Sequence, residues 1–143
     1  MLGRKSRKGA KGSPDYGHFN RVGTEFGAKN DQLGLTVYAT MKDTSKAEPL
    51  VSAVSAGASL KVMSLDVTDS ESIQACVDTI LKESASIDVL INNAGVGFVK
   101  TTEHISEDEL RWNTDVNYLV VVRCTKAVLP HIRRACSGHV VNI

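Results

Sequence analysis

The sequence predicts an α/β domain built on an open parallel sheet with helices on both faces, an arrangement of three layers. Short β-type runs alternate with helical patterns from residue 34 onward. Residues 87–91 are apolar apart from Asp88, which suits a strand that is buried on both faces of a parallel sheet. The last strand-like run reaches Ile143, the final residue, so the sheet is expected to be incomplete.

The predicted order of elements is β-α-β-α-β-α-β. Strands are expected at residues 35–40, 60–65, 87–91 and 138–143. Helices are expected at residues 44–56, from Asp69 or Ser70 through Leu81, and from Ser106 to Pro130.

Local signals mark the ends of these helices. Pro49 is compatible with the first helix only within its first turn, because a proline further in removes a backbone hydrogen bond. Ser106 followed by Glu109 is a capping-box pattern, which predicts the start of the third helix. Pro130 is expected to kink or end that helix.

Composition excludes several classes of protein. The chain has 143 residues, of which 42% are apolar and 23% charged, as expected for one small globular domain. A net charge of +1 argues against a nucleic-acid or membrane-surface partner, and no run approaches the ~20 apolar residues of a membrane span. The three cysteines fit neither a disulfide framework nor a zinc motif, so a reducing compartment, the cytoplasm, is expected.

Residues 1–33 differ from the rest of the chain. They are rich in Gly, Lys, Arg, Asn and Asp, lack a sustained hydrophobic period, and carry five cations among the first eleven residues. This composition favours a basic, poorly ordered arm over a nucleic-acid contact. The folded domain is therefore predicted over residues 34–143.

Polar and small residues cluster where the third predicted strand ends. Asn92, Asn93, Ala94 and Gly95 follow that strand directly, at the edge where open α/β sheets bind ligands. Side-chain amides tie neighbouring loops together, and an Ala-Gly pair lets a flat ligand approach the backbone. A plain turn also favours Asn and Gly, so this segment alone leaves both interpretations open.

Three segments together resemble the short-chain dehydrogenase/reductase family. They read Leu-Asp-Val-Thr-Asp at residues 65–69, Asp-Val-Leu-Ile-Asn-Asn-Ala-Gly at residues 88–95 and Asp-Val-Asn at residues 115–117. The resemblance covers residues 34–143, roughly three quarters of this chain, but only the first half or so of a family domain. It implies a partial Rossmann-type domain, an incomplete doubly wound sheet that holds NAD or NADP.

The resemblance implies roles for particular residues of the cleft. Asp66 would contact the adenine amino group, with Val67 beside it. The cofactor cleft would be lined by Asn93, Ala94 and Gly95.

Asn117 matches the catalytic Asn of the family, whose backbone bends its helix and holds a water in the proton relay. The alternative is a buried Asn whose amide is satisfied by its packing neighbours. Because an Asn inside an otherwise apolar helix needs a hydrogen-bond partner, the functional interpretation is favoured.

The choice between NADP and NAD depends on the residues after the first predicted strand. In NAD-preferring members an acidic residue at this strand end binds the ribose 2′-hydroxyl, whereas here the strand ends at Ala39-Thr40 and Lys42 follows. A cation at this place suits a 2′-phosphate. Residues 37–43 also resemble the steroid and retinol dehydrogenase branch, in which a basic residue here favours NADP. NADP is therefore predicted ahead of NAD, and the alternative is an exposed loop lysine.

The family's glycine loop, which meets the cofactor pyrophosphate, is not preserved in this sequence. At the family's spacing, Gly17 and Gly23 take the places of the outer glycines, but Arg21 replaces the middle glycine and Tyr16 the Thr. We interpret residues 1–33 as a degenerate first βα unit and hypothesise a frameshift, a misjoined exon or a wrong gene start. If no other frame of the upstream nucleotides encodes Thr-Gly-x-x-x-Gly-x-Gly, the segment is a true divergence.

The resemblance implies hydride transfer between NADP(H) and a small-molecule ketone or alcohol, and it is compatible with a homo-oligomer. The family's catalytic Ser and Tyr-x-x-x-Lys pair have no counterpart in these 143 residues, so the chain by itself is expected to be inactive. Tyr38 and Lys42 have the required spacing, but the pair needs one helical face and Tyr38 is predicted in a strand. The alternative is a non-catalytic remnant that binds a nucleotide or a protein partner.

Overall fold

A computed structural model describes residues 35–53, 59–97 and 100–143. The four strands are β1 Val37–Met41, β2 Leu60–Ser64, β3 Val89–Asn92 and β4 His139–Asn142. The four α-helices are α1 Glu48–Ala53, α2 Ser70–Ser84, α3 Glu107–Thr114 and α4 Val120–Ala135. The predicted order of strands and helices is confirmed over the described residues. None of these helices is long and apolar enough to cross a membrane.

The strands pair in parallel, as the sequence predicts. In the first pair Val37 of β1 lies opposite Leu60 of β2. In the second pair Asn92 of β3 lies opposite Asn142 of β4. Among the described residues each of these pairs forms a two-stranded sheet of its own. The degenerate first βα unit that the sequence predicts at residues 1–33 lies outside the described residues.

The first predicted helix is divided in the structure. A 3₁₀ turn covers Thr44–Lys46, and α1 begins only at Glu48. Pro49 therefore stands in the first turn of α1, where its missing N–H has no helical partner to lose.

The predicted start of α2 and the predicted capping box of α3 are both confirmed. Asp69 precedes α2 and accepts a hydrogen bond from the Glu71 N–H at 2.9 Å. Ser106 and Glu109 form the predicted capping box at the start of α3. These signals are local in sequence, which is why a pattern of residue types is enough to find them.

Two features of the last helical region differ from the prediction. A π-helical turn at Asp115–Leu119 separates α3 from α4, where the sequence predicts one continuous helix. Of the two outcomes expected at Pro130, a kink or an end, the end is wrong, because α4 continues to Ala135. Ile132, beyond the proline, packs against the core, and this contact supports the last turn despite the hydrogen bond that Pro130 cannot donate.

A single core joins the two strand pairs through the helices. Leu65 follows β2 and Leu90 lies in β3, and both belong to the cluster formed by the facing sides of α2 and α4. Its fully buried members on these helices include Ile73, Val77, Val120 and Val128. Cys76 and Cys124 are free thiols in the same cluster, where they fill space as small apolar groups. This packing confirms the α/β class.

Candidate functional site

The carboxyl ends of β3 and β4 are joined by side-chain amides. Asn92 is buried, and its Nδ2 donates to the Asn142 Oδ1 at 2.8 Å. The same Nδ2 lies 3.3 Å from the Thr125 Oγ1 of α4. Asn92 therefore fixes the end of β3 to its neighbouring strand and to the helix between them. Neither Thr125 nor Asn142 is predicted from the sequence as a site residue, because their partnership with Asn92 depends on the strand register.

The next residue, Asn93, carries an unsatisfied acceptor. It is 7% exposed, and its Oδ1 has no hydrogen-bond partner among the described residues. A buried polar atom without a partner costs free energy, so such atoms often mark a place where a ligand or ordered water completes the hydrogen bonding. Ala94 and Gly95 follow, both partly buried, and the Ala94 side chain packs against the core.

Asn117 clamps the loop that continues from Gly95. Its Oδ1 accepts from the Val96 N–H at 2.8 Å, and its Nδ2 donates to the Val96 carbonyl at 2.8 Å. Asn117 is exposed and lies in the π-helical turn, so the expectation of a buried Asn is wrong, although neighbouring groups do satisfy its amide. The hydrogen-bond partner that the sequence requires is the backbone of this loop.

Asn113 belongs to the same hydrogen-bond network but is not predicted as a site residue from the sequence. It lies one turn before Asn117, accepts from the Asn117 Nδ2 at 3.1 Å, and places its own Nδ2 3.4 Å from the Val96 carbonyl. The spacing of four residues between two Asn on one helix was the available signal.

At the other strand pair the structure brings Lys42 to Asp66. The Lys42 ammonium forms an ion pair with the Asp66 Oδ2 just beyond the carboxyl ends of β1 and β2. The Asp66 Oδ1 accepts from the Thr68 N–H at 3.0 Å and from the Thr68 hydroxyl at 2.6 Å. Burial disfavours the charged carboxylate, but the ion pair and the Thr68 hydrogen bonds outweigh it, so the pKa of Asp66 lies well below its usual range.

The charged groups of Lys42 and Asp66 are accessible to solvent. The Lys42 side chain is 47% exposed and that of Asp66 25%. Val67, the neighbour of Asp66, is partly buried and packs against the core. The pair therefore offers one cation and one anion side by side at the edge where ligands bind to open α/β sheets.

Comparison with known proteins identifies the family. The sequence profile of the short chain dehydrogenases matches residues 17–143. The chain belongs to the short-chain dehydrogenase family.

Two human members of the short-chain dehydrogenase family illustrate the similarity. Retinol dehydrogenase 8 of Homo sapiens is 41% identical over 109 residues, which are 75% of this chain and 34% of that protein. The human 17-beta-hydroxysteroid dehydrogenase type 1 is 35% identical over 118 residues, which are 80% of this chain and 35% of that protein. The chain thus spans about a third of the length of these relatives.

A solved structure gives the same result for the fold. A metagenomic short-chain oxidoreductase in complex with NADP superimposes with a TM-score of 0.76 and 28% identity, over 85% of this chain and 56% of that one. The fold is therefore the Rossmann-type α/β architecture of short-chain dehydrogenases, of which this chain holds a part.

The Tyr-x-x-x-Lys match at Tyr38 and Lys42 is not the short-chain dehydrogenase pair. Tyr38 lies in β1, where its hydroxyl shares a hydrogen bond of 2.6 Å with the Ser84 hydroxyl at the end of α2. The Lys61 ammonium stands 5.4 Å from the centre of the Tyr38 ring, whereas Lys42 pairs with Asp66. The two residues serve different contacts, which confirms the rejection of this match.

Proposed function

We propose that this chain is part of an NADP-dependent oxidoreductase that transfers hydride between NADP(H) and a carbonyl or secondary alcohol. The observation that carries the proposal is the pair of hydrogen bonds between the Asn117 side chain, in the π-helical turn, and the backbone of Val96. Val96 directly follows Asn93, Ala94 and Gly95 in the sequence. The resemblance of residues 115–117 to the family supports Asn117 as the catalytic Asn beside the cofactor cleft.

The residues at the two strand ends fit a nicotinamide cofactor. Asn93 offers a buried acceptor that a bound ligand would satisfy, and the small residues Ala94 and Gly95 would let a flat group approach the backbone. A carboxylate has roughly four acceptor positions, and three contacts engage Asp66, so one remains for the adenine amino group. When bound, NADP supplies or receives the hydride.

NADP is favoured over NAD by the cation at the end of β1. A 2′-phosphate carries about two negative charges and would compete with the Asp66 carboxylate for the half-exposed Lys42 ammonium. A ribose 2′-hydroxyl brings no charge and gains little from Lys42. The solved relative in complex with NADP supports this choice.

The names of two relatives support a substrate class. Retinol and 17-beta-hydroxysteroids, named in the relatives, are alcohols, which supports an alcohol or the corresponding carbonyl compound as substrate here. The free cysteines, two of them buried, support a reducing compartment, and we place the protein in the cytoplasm. Self-association remains a prediction from the family resemblance.

The present 143 residues supply only some of the groups that the reaction needs. Asn117 and the residues around the adenine side of the cleft are here, but the family's catalytic Ser and Tyr-x-x-x-Lys pair are not in this sequence. We therefore expect the chain to bind cofactor weakly and not to turn over. A non-catalytic nucleotide-binding unit is the second candidate, favoured by the same missing proton-transfer residues.

The test of the proposal combines binding with turnover on the purified 143-residue chain. NADPH fluorescence should change saturably on addition of protein, and the Asn93→Leu variant, which removes the buried acceptor, should weaken the titration. Absence of saturable NADPH binding in the folded wild-type chain would contradict the proposal. Clear NADP(H)-dependent turnover of a ketone or alcohol would contradict only the expected inactivity.

A further inference from the structure

The loop after β3 is held by two amide side chains rather than one. The Asn117 amide forms hydrogen bonds with both the N–H and the carbonyl of Val96, the residue after Gly95. Asn113 contacts both Asn117 and Val96, since it accepts from the Asn117 Nδ2 at 3.1 Å and points its Nδ2 at the Val96 carbonyl, 3.4 Å away. The three residues form a closed network of four hydrogen bonds.

The network has only one self-consistent orientation of the Asn117 amide. In the observed orientation the Asn117 Nδ2 faces two acceptors, the Val96 carbonyl and the Asn113 Oδ1. Rotating the amide by 180° would set the Asn117 Oδ1 against both of these oxygens and its NH₂ against the Val96 N–H. Asn113 therefore further favours the orientation in which the Asn117 Oδ1 faces the Val96 N–H, because hydrogen bonds in such a network reinforce one another.

We propose that Asn113 is a positioning residue, which fixes the Asn117 amide in the orientation that clamps Val96 and so sets the loop that lines the cofactor cleft. The functional meaning rests on the function proposed above. Asn113 itself touches neither Ala94 nor Gly95 by any hydrogen bond among the described residues, and acts on the loop through Asn117 and Val96.

Helix propensity allows the positioning role of Asn113 to be distinguished from a contribution to the stability of α3. Asn is a poor residue for the helix interior and Leu is a good one, so Asn113→Leu in α3 should leave the helix at least as stable. A loss of order that appears only at Val96 would then report the missing amide and not a weakened helix.

The experiment measures amide hydrogen exchange by NMR on the ¹⁵N-labelled 143-residue chain without cofactor. In Asn113→Leu we expect protection of the Val96 N–H to fall by about threefold to tenfold, the range for loss of one or two modest hydrogen bonds. The Asn117 side-chain NH₂ signals should shift and exchange faster. Asn113→Asp keeps the acceptor for the Asn117 Nδ2 and should restore most of the Asn117 signature.

Thr114→Ala is the matched control, because Thr114 is exposed in the same helical turn and should leave Val96 unchanged. Three results would overturn the proposal: Val96 protection in Asn113→Leu equal to wild type, equal changes of the Asn117 NH₂ signals in Asn113→Leu and Asn113→Asp, or a uniform loss of protection that includes the core amide of Val77. Because no cofactor is added, a failure of NADPH binding would count against the proposed function and not against this inference.

Discussion

The pairing of Lys42 with Asp66 predicts how this chain distinguishes NADP from NAD. Lys42→Met keeps most of the side-chain length and removes the charge, so it isolates the electrostatic part of 2′-phosphate recognition. We expect the variant to lose its preference for a phosphorylated ribose and to keep its affinity for the adenine and its unphosphorylated ribose.

The magnitude follows from the accessibility of the two side chains. A pair of unit charges about 4 Å apart in a water-like medium is worth about 1 kcal/mol, and a phosphate with nearly two charges would approach about 2 kcal/mol. The Lys42 side chain is 47% exposed and already paired with Asp66, so solvent screening and competition reduce the effect. We expect a contribution of about 1 kcal/mol, a change of about fivefold in relative affinity.

The assay is calorimetric titration of the 143-residue chain with 2′,5′-ADP and with 5′-AMP, which differ only by the 2′-phosphate. Contacts to the adenine contribute equally to both dissociation constants, so they cancel in the ratio of the two. Lys42→Met should bring this ratio close to one, whereas Asp66→Asn, which removes the competing carboxylate, should raise the preference for 2′,5′-ADP. An unchanged ratio in Lys42→Met would refute the assignment of Lys42 to the 2′-phosphate.

Two further predictions concern the fold. Gly138 has a φ of +141°, and an added Cβ would lie 3.0 Å from two Ile132 carbons and 3.2 Å from the Asp88 carbonyl oxygen. Gly138→Ala should therefore lower the free energy of unfolding by about 2 kcal/mol in a urea titration. Gly97→Ala is the control and should be close to neutral, because a Cβ there meets nothing within 4 Å. Equal effects of the two substitutions would contradict this account of Gly138. Burial raises the pKa of both buried thiols, so at pH 8 Ellman's reagent should label the exposed Cys136 rapidly and the other two only on unfolding. Rapid labelling of all three would mean that the core is not packed as described.

The elements that sequence could predict are those with local causes. The Asp69 cap, the capping box at Ser106 and the strand patterns each involve residues within a few positions of one another. The π-helical turn at Asp115–Leu119 is not marked by the apolar pattern, which continues through it, and only the family resemblance at Asn117 implied a bend there. In the structure Asn117 contacts the backbone of Val96, 21 residues earlier.

In the candidate site, too, individual residues can be predicted from the sequence, whereas the contacts between them appear only in the folded structure. Lys42 and Asp66 were each predicted as separate cofactor contacts, but their ion pair joins residues 24 positions apart and depends on the register of β1 with β2. The cluster of Asn93, Ala94 and Gly95 at a strand end is visible in the sequence, and the family resemblance assigns it to the cofactor cleft. The missing partner of the Asn93 oxygen appears only in three dimensions.

The most direct test of the central claim maps where NADP⁺ binds on the ¹⁵N-labelled 143-residue chain. We expect saturable shifts at the amide of Asp66 and at residues 93–95, the carboxyl ends of β2 and β3. The opposite ends of β3 and β4, at Asp88 and Gly138, should not respond. Shifts confined to those opposite ends, or no saturable shift at Asp66 and residues 93–95 in the folded chain, would contradict a cofactor cleft at this edge.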